Sequence, residues 1–288
     1  MIAHVAQAGE QRGRVVLQLT SGHPNRHAIE AAMRVAQAFQ SEIESLFVED
    51  AQVFEAARFP FAREVSLSGR RQAPLSHEIV TRQMRFVAAA LQRQIGQLAR
   101  RAEVPLRTTV VRDEAVAAVA RACAACGPWN VVALADPLSG TSADTIRRLF
   151  SAVTGTTGVI AVGPAARRAS GPVIAAVEDI GHLEPMLRAA ERLNSVPPGE
   201  SITLLLIGHS TGETEEMEGQ ARLVLGAGTD VTLQRAEARH GQPGEIADTL
   251  RRARGSFVVA RFGGLLVPAE GDLRHLTHAL ECPLFLMR

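Results

Sequence analysis

The sequence predicts an α/β protein made of two tandem, doubly wound domains, each with a five-stranded parallel sheet. Short apolar runs alternate with longer segments of helical periodicity along all 288 residues. The same alternation occurs twice, which indicates an internal duplication. Runs such as 131–135 are apolar at every position, as is typical of parallel strands covered by helices on both faces.

The first copy begins with a β-branched run and continues as strand, helix, strand. Its predicted strands are 14–20, 42–48, 106–111, 131–135 and 158–162, and its predicted helices are a segment ending near 40, then 75–102, 114–126 and 144–153. Right-handed crossovers between these strands give a doubly wound sheet.

The second copy repeats this order. Its predicted strands lie near 173–177, 202–207, 230–235, 257–261 and 284–287, and its helices near 183–194, 214–225, 244–253 and 271–280. Local echoes support the duplication, since Gly22-His23 recurs as Gly181-His182 and segment 29–34 resembles 187–192. We therefore predict domains at 1–163 and 171–288, joined by a linker at 164–170.

Composition excludes several classes of function. The net charge of +1 provides no general attraction to nucleic acid or anionic lipid. All 31 basic residues are arginine, so lysine-dependent phosphate loops and Schiff bases are excluded. No apolar run is long enough for a membrane span, and the first residues lack the apolar centre of a signal peptide. With three cysteines, we expect a cytoplasmic protein.

The first copy carries an insertion that we predict as a loop at 51–72. It contains Phe54, Phe59 and Phe61 beside arginines such as Arg63. Long loops within compact domains are commonly functional, and three aromatic side chains can hold such a loop against the protein. Two interpretations remain open: a flap that covers its own sheet or the other half, or a surface that contacts a partner or gates a ligand.

Three segments carry a family resemblance. Residues 275–287 combine a helix, a Cys-Pro turn and an apolar last strand, and segments 45–50 and 59–64 provide a second match. The duplicated five-strand pattern and residues 275–287 resemble the universal stress protein family in its tandem form, and segments 45–50 and 59–64 resemble a proteobacterial branch of unknown role. The resemblance implies an internal pseudo-dimer, in which strand 159–162 pairs with strand 284–287. Pairing would also cover two exposed apolar edges.

In the nucleotide-binding branch of that family, a glycine loop after the fourth strand holds the phosphates of ATP. Backbone amides must approach the phosphate oxygens without an intervening Cβ. Here Asp136-Pro137 stands where the first glycine is expected, and the second copy has Gly263-Gly264 at a different spacing, followed by Glu270 and Asp272. Aspartate has the wrong charge for phosphate and proline lacks an amide donor. Neither copy keeps the motif.

Other motifs do not support catalysis. Cys123 and Cys126 have redox-motif spacing but end a predicted helix, where the helix dipole does not lower a thiol pKa. His275 and His278 lack further metal ligands at a recognised spacing. No nucleophile elbow is present. We therefore expect no enzymatic activity and no metal.

These observations predict a binding or regulatory protein of universal stress type, without turnover and without a cofactor. The alternative is a stress sensor that binds ATP or AMP through a non-standard loop. The partner is an unspecified protein or small ligand. The sequence is also compatible with a homodimer. Candidate ligand-binding residues are Thr20, Ser21, Val48, Asp136, Gly140, Thr141, Ser142, Glu178, Asp179, Gly263 and Gly264. Candidate partner contacts are Phe54, Phe59, Phe61 and Arg63.

Overall fold

The computed structural model describes most of the chain. The described residues are 13–22, 24–66, 68–70, 72–125, 129–135, 143–153, 156–196, 201–225, 231–238, 243–270 and 273–288. No helix within these ranges is long and apolar enough to cross a membrane.

Strands and helices alternate along these residues. The strands are β1 (Arg14–Leu19), β2 (Glu42–Asp50), β3 (Arg63–Val65), β4 (Gln72–Pro74), β5 (Leu106–Asp113), β6 (Asn130–Leu134), β7 (Thr156–Ala161), β8 (Val173–Val177), β9 (Ile202–Gly208), β10 (Val231–Glu237), β11 (Phe257–Arg261) and β12 (Leu284–Met287). The helices are α1 (Arg26–Ala38), α2 (Ala51–Ala56), α3 (His77–Arg101), α4 (Ala115–Ala124), α5 (Ala143–Ala152), α6 (Leu183–Asn194), α7 (Thr211–Leu225), α8 (Pro243–Arg252) and α9 (Arg274–Ala279).

Ten of the strands form one continuous sheet, in the order β10-β9-β8-β11-β12-β7-β6-β1-β2-β5. Each half has the same internal order, with its first strand in the centre and its last strand at the junction. Neighbouring strands are parallel except β12 and β7, which pair antiparallel with Phe285 opposite Ile160. The predicted α/β fold with two doubly wound halves, joined through their last strands, is confirmed.

Helices cover both faces of the sheet. On one face α1, α3, α6 and α7 pack over a core that includes Leu17, Phe47, Leu204 and Phe257. On the other face α4, α5, α8 and α9 pack over a second core. Strands such as Val173–Val177 are buried at every position because both of their faces are covered.

Two arginines at equivalent places in the repeat hold the halves together. Arg34 on α1 donates to the carbonyl oxygen of Leu193 at 3.0 Å and to Ser256 Oγ at 3.0 Å, both in the second half. Its counterpart Arg192 on α6 lies over the ring of Phe39 in the first half, 5.2 Å from the ring centroid. The resemblance between segments 29–34 and 187–192 thus has a structural basis.

The insertion predicted as a loop at 51–72 contains regular structure. Asp50 accepts a hydrogen bond from the Gln52 amide at 2.8 Å and thereby caps helix α2. Strands β3 and β4 then form an antiparallel hairpin whose turn places Gly69 at φ 68°. The side chain of Asp50 and the turn glycine account for this local order, which apolar periodicity does not reveal.

Candidate functional site

The candidate site of the second half lies at the carboxyl ends of β8 and β11. These strands are neighbours, while the next strand in sequence, β9, lies on the other side of β8. Ligands of open α/β sheets bind outside the strand ends at such a reversal of strand order. Glu178 follows β8 directly, and the loop 263–267 follows β11.

The Glu178 carboxylate lies inside this loop. It accepts hydrogen bonds from the backbone amides of Leu265 and Leu266, each at 2.6 Å. The loop is closed by a bond from the Gly263 amide to the carbonyl of Val267 at 2.7 Å, with Gly263 at φ 85°. Any Cβ on Gly264 would overlap Glu178 Oε2. The loop therefore already binds an anion, and that anion is a side chain of the protein.

Burial is the main influence on this carboxylate. It raises the pKa of Glu178, while the two amide hydrogen bonds and the charge of Arg261 act in the opposite direction. The net direction is upward from the ordinary value of 4.5. Glu178 is therefore a partly desolvated acid whose carboxylate is held by the amides of the loop 263–267.

Asp179, His182 and Arg261 form a second polar group beside Glu178. Asp179 caps the short 3-10 turn Ile180–His182 by accepting from the Gly181 amide at 2.8 Å, and this bond is the main cause of its lowered pKa. His182 Nδ1 lies 3.2 Å from both Asp179 Oδ2 and an Arg261 nitrogen. Since Nδ1 carries at most one proton, it cannot donate to Asp179 and accept from Arg261 at the same time.

Four residues predicted from the sequence lie together in this region: Glu178, Asp179, Gly263 and Gly264. Arg261, which ends the apolar strand β11, was not among the predicted residues. An arginine at the last position of an otherwise apolar strand was the available signal. His182 was noted only through its repetition in the sequence.

The first half is described in part. Thr20 Oγ1 accepts from the Gly22 amide at 3.4 Å, and Ser21 is exposed beside it. Val48 is 3% exposed, so its side chain belongs to the core. The other candidates of this half, Asp136, Gly140, Thr141 and Ser142, lie outside the described residues.

One phenylalanine of the insertion is a structural anchor. Phe54 is 3% exposed, and the guanidinium of Arg112 lies over its ring at 3.6 Å from the centroid. Arg112 also donates to Glu49 at 3.0 Å, and His77 packs edge-on against Phe54 at 5.5 Å. Helix α2 is thus fastened to β2, β5 and the beginning of α3.

The other two phenylalanines of the insertion point to solvent. Phe59 and Phe61 stack on one another at 5.5 Å and are 54% and 78% exposed. Arg63 is exposed on the adjoining strand β3. The insertion therefore combines a covering role at Phe54 with an exposed aromatic pair at its end.

The described cysteines lie in the core. Cys123 and Cys282 are free and buried, and burial raises the pKa of Cys282 to about 12. Among the described residues, no group of three or more His, Cys, Asp and Glu side chains is placed to hold a metal ion. Cys126 lies outside the described ranges.

Comparisons with known proteins were made at the levels of sequence and structure. No family model matches the sequence. No curated protein matches it either. Among solved structures, a universal stress protein from Archaeoglobus fulgidus DSM 4304 has a TM-score of 0.61 at 10% identity, over 95% of this chain and 96% of that chain.

Two structures from Pseudomonas aeruginosa are also similar. A functionally unknown protein of strain PAO1 has a TM-score of 0.54 at 14% identity, covering 98% of this chain and 94% of that chain. A putative universal stress protein of strain UCBPP-PA14 has a TM-score of 0.53 at 14% identity, covering 97% and 94%. The similarity extends over both halves, and the chain has the fold of the universal stress proteins in a tandem arrangement of two units.

Proposed function

We propose that this protein is a binding and regulatory module of universal stress type, without catalytic turnover. We propose further that it does not bind ATP through the phosphate loop of that fold. The observation that carries the proposal is the Glu178 carboxylate, which occupies the amides of Leu265 and Leu266.

Electrostatics explains why this arrangement opposes a nucleotide. A phosphate oxygen at the loop would need the two amides that Glu178 already uses, and it would meet a carboxylate at van der Waals distance. Two negative charges 4 Å apart repel by about 4 kcal/mol at an effective dielectric constant of about 20. Arg261 offsets part of this repulsion but is itself shared with His182.

The proposed lack of turnover is supported by the groups present. Cys282 has a raised pKa and is buried, so its reactive thiolate is scarce at neutral pH. Asp179 and His182 contact each other, and within the described part of the chain no hydroxyl or thiol group is hydrogen-bonded to either side chain. We expect recognition rather than chemistry at this site.

The exposed pair Phe59 and Phe61 supports a role in protein recognition. Stacked aromatic rings with more than half of their surface in solvent have little stabilising effect within the chain, whereas aromatic side chains are enriched at interfaces. We propose that the insertion is a contact surface for a protein partner.

Thermal unfolding with added ATP or AMP tests the nucleotide part of the proposal. A ligand at about 100 times its Kd stabilises the folded state by about 2.7 kcal/mol, which is a clear rise in Tm. We expect no rise for the wild-type protein, and a response to inorganic phosphate in Glu178→Ala, where the amides are released. Asp179→Ala is the matched control, since it removes a neighbouring carboxylate that does not enter the loop.

A nucleotide response of the wild-type protein would contradict the proposal and favour the alternative, a stress sensor with a non-standard loop. Glu178→Ala distinguishes nucleotide binding at the loop 263–267 from nucleotide binding elsewhere. If this variant retains the wild-type response unchanged, the nucleotide binds away from the loop 263–267, as it would at residues 136–142 of the first half.

A further inference from the structure

Helices α3 and α7 lie at opposite ends of the sheet and on the same face. When the inserted helix α2 is left out, each of them is the second helix of its half. Helix α3 covers the edge strand β5, and helix α7 covers the edge strand β10. Both helices bury one side and expose the other. The two exposed sides differ in charge.

The exposed side of α3 is strongly basic. Its 25 residues contain five arginines and one acid, Glu78. The five arginines are Arg82, Arg85, Arg93, Arg100 and Arg101. Their side chains form no hydrogen bond or ion pair with other described residues. Phe86, 72% exposed, lies among them. This side of α3 presents unpaired positive charge around one aromatic ring.

A hollow crosses the same side of α3. It has a volume of about 530 Å³ and lies over Ala89 and Gly96, between the longer side chains of Arg93 and Arg100. Ala89 and Gly96 are one heptad apart, so they lie on the same side of the helix. Small residues at this spacing allow a second helix to approach closely.

The exposed side of α7 has the matching pattern. Gly212, Glu216, Gly219 and Leu223 follow one another at helical spacing, opposite the buried Met217 and Ala221. Leu223 is 84% exposed. A Cβ on Gly212 or Gly219 would meet nothing within 4 Å, so packing within the chain does not require glycine there. Glycine weakens a helix relative to alanine, and close approach by another backbone is a physical reason to keep it.

The charge of α7 is opposite to that of α3. The helix has four glutamates and one arginine, Arg222. Glu215 and Glu218 pair with arginines of the same half. Glu216, on the exposed side, accepts only from Gln220 at 3.3 Å among the described residues. It is therefore available to a cation from outside.

We propose that α3 of one molecule packs antiparallel against α7 of a second copy of this chain. In this register Phe86 meets Leu223, Ala89 meets Gly219, Arg93 meets Glu216, and Gly96 meets Gly212. The apolar pair lies at one end of the contact, the ion pair at its centre, and the small residues let the two backbones approach.

The charges explain why α3 contacts α7 of the second copy and not its α3. A two-fold contact of α3 with α3 would bring five arginines against five, and a contact of α7 with α7 would bring the glutamates together. The antiparallel junction of β7 and β12 makes the two halves run in opposite directions, so α3 and α7 are also opposite in direction. A second copy rotated by half a turn about an axis parallel to the strands keeps these directions, and its α7 then faces α3 in antiparallel orientation.

Sedimentation velocity at protein concentrations from about 1 µM to about 1 mM tests the proposal. We expect the mean mass of the wild-type protein to rise with concentration and to fall at high salt. Arg93→Glu and Glu216→Arg each place like charges in the contact, and each should weaken the association about tenfold. Arg252→Glu, the same change on an exposed residue of α8 on the opposite face, is the control.

Mixing the two variants identifies the pairing. Where α3 of Arg93→Glu meets α7 of Glu216→Arg, the two substituted side chains face each other with opposite charges. In the reverse contact the native Arg93 faces the native Glu216, so an equimolar mixture should regain the wild-type association. The proposal is overturned if the mixture stays dissociated, or if either single variant associates like the wild type. A wild-type protein that stays monomeric at about 1 mM also overturns it, and would leave the α3 surface to an acidic helix of another protein.

Discussion

The Glu178 carboxylate lies so close to Gly264 that its position requires a residue without a Cβ at 264. The carboxylate accepts hydrogen bonds from the two amides that follow Gly264, and a Cβ at position 264 would overlap Oε2. Gly264 is thus needed for the approach of a side chain of the protein, in the way that glycines of phosphate loops are needed for the approach of a ligand.

Gly264→Ala should therefore destabilise the protein by about 1–3 kcal/mol, because the carboxylate must move. In the background of Glu178→Ala the overlap is removed, and the same substitution should have a much smaller effect. Urea unfolding of the four proteins gives the coupling free energy, which we expect to exceed about 1 kcal/mol. Additive effects would show that the two residues do not constrain each other.

The course of the backbone could be predicted from the sequence because it rests on burial. Val173–Val177 and Phe257–Arg261 are buried strands whose bounds equal the predicted ones, since helices on both faces require apolar residues throughout. The site could be predicted only as a region. The bond between Glu178 and the amide of Leu266 joins residues 88 positions apart, and no local pattern encodes which side chain fills the loop.

The insertion shows a different limit. Helix α2 has six residues, too few for a clear apolar period, and its beginning is determined by the side chain of Asp50. Aspartate before a short run of helix-forming residues was present in the sequence and is a usable signal. The ring of Phe54 is covered by Arg112, which comes from β5, and such a tertiary contact lies beyond sequence reasoning.

The pH dependence of stability should reveal the raised pKa of Glu178. A carboxyl group with a higher pKa in the folded state binds protons more readily when folded. Its contribution to stability is therefore complete below the ordinary value of 4.5 and is lost as pH rises through the folded value. As pH falls from neutral towards 4.5, the wild-type protein should gain stability relative to Glu178→Ala.

Asp179→Ala provides the control of opposite sign. The Gly181 amide lowers the pKa of Asp179, so its contribution is present above the ordinary value of 3.8 and is lost as pH falls through the folded value. Urea unfolding of the three proteins over a series of pH values measures both differences. A difference between wild type and Glu178→Ala that decreases on acidification would contradict the predicted direction.

Arg34 should contribute to the contact between the halves. Its guanidinium reaches the Leu193 carbonyl at the end of α6 and the Ser256 hydroxyl, and it lies 5.6 Å from the centre of the Phe257 ring. Arg34→Ala should lower the free energy of unfolding by about 1–3 kcal/mol, because the partners are partly buried and lose their donors. Arg188→Ala removes an exposed arginine of α6 and should change it by less than about 0.5 kcal/mol. Equal effects of both substitutions would refute this role.

The buried thiols should be unreactive in the folded protein. Burial raises the pKa of Cys282 to about 12, and Cys123 is 2% exposed. In a Cys126→Ser variant, an aromatic disulfide reagent at about pH 8 should label neither thiol until denaturant is added, after which both react. Rapid labelling of the native variant would instead support a redox role.

The two kinds of phenylalanine in the insertion should respond differently to truncation. Phe54→Ala removes a buried ring that Arg112 covers, and should destabilise the protein by about 3–5 kcal/mol. Phe59→Ala and Phe61→Ala remove exposed rings, and each should change the stability by less than about 0.5 kcal/mol. Urea unfolding measures these differences.

The capture of partner proteins should depend on Phe59 and Phe61, the two residues whose substitution leaves the stability nearly unchanged. Because aromatic anchors carry much of the energy of an interface, the double variant Phe59→Ala/Phe61→Ala should lose its captured proteins in pull-down experiments while its unfolding curve stays that of the wild type. Arg167→Ala, at an exposed residue that pairs with Glu281 and not with the insertion, should leave the captured set unchanged. A double variant with an unaltered set of captured proteins would mean that the exposed pair is not the contact surface, and the insertion would then act only as the cover that Phe54 fastens.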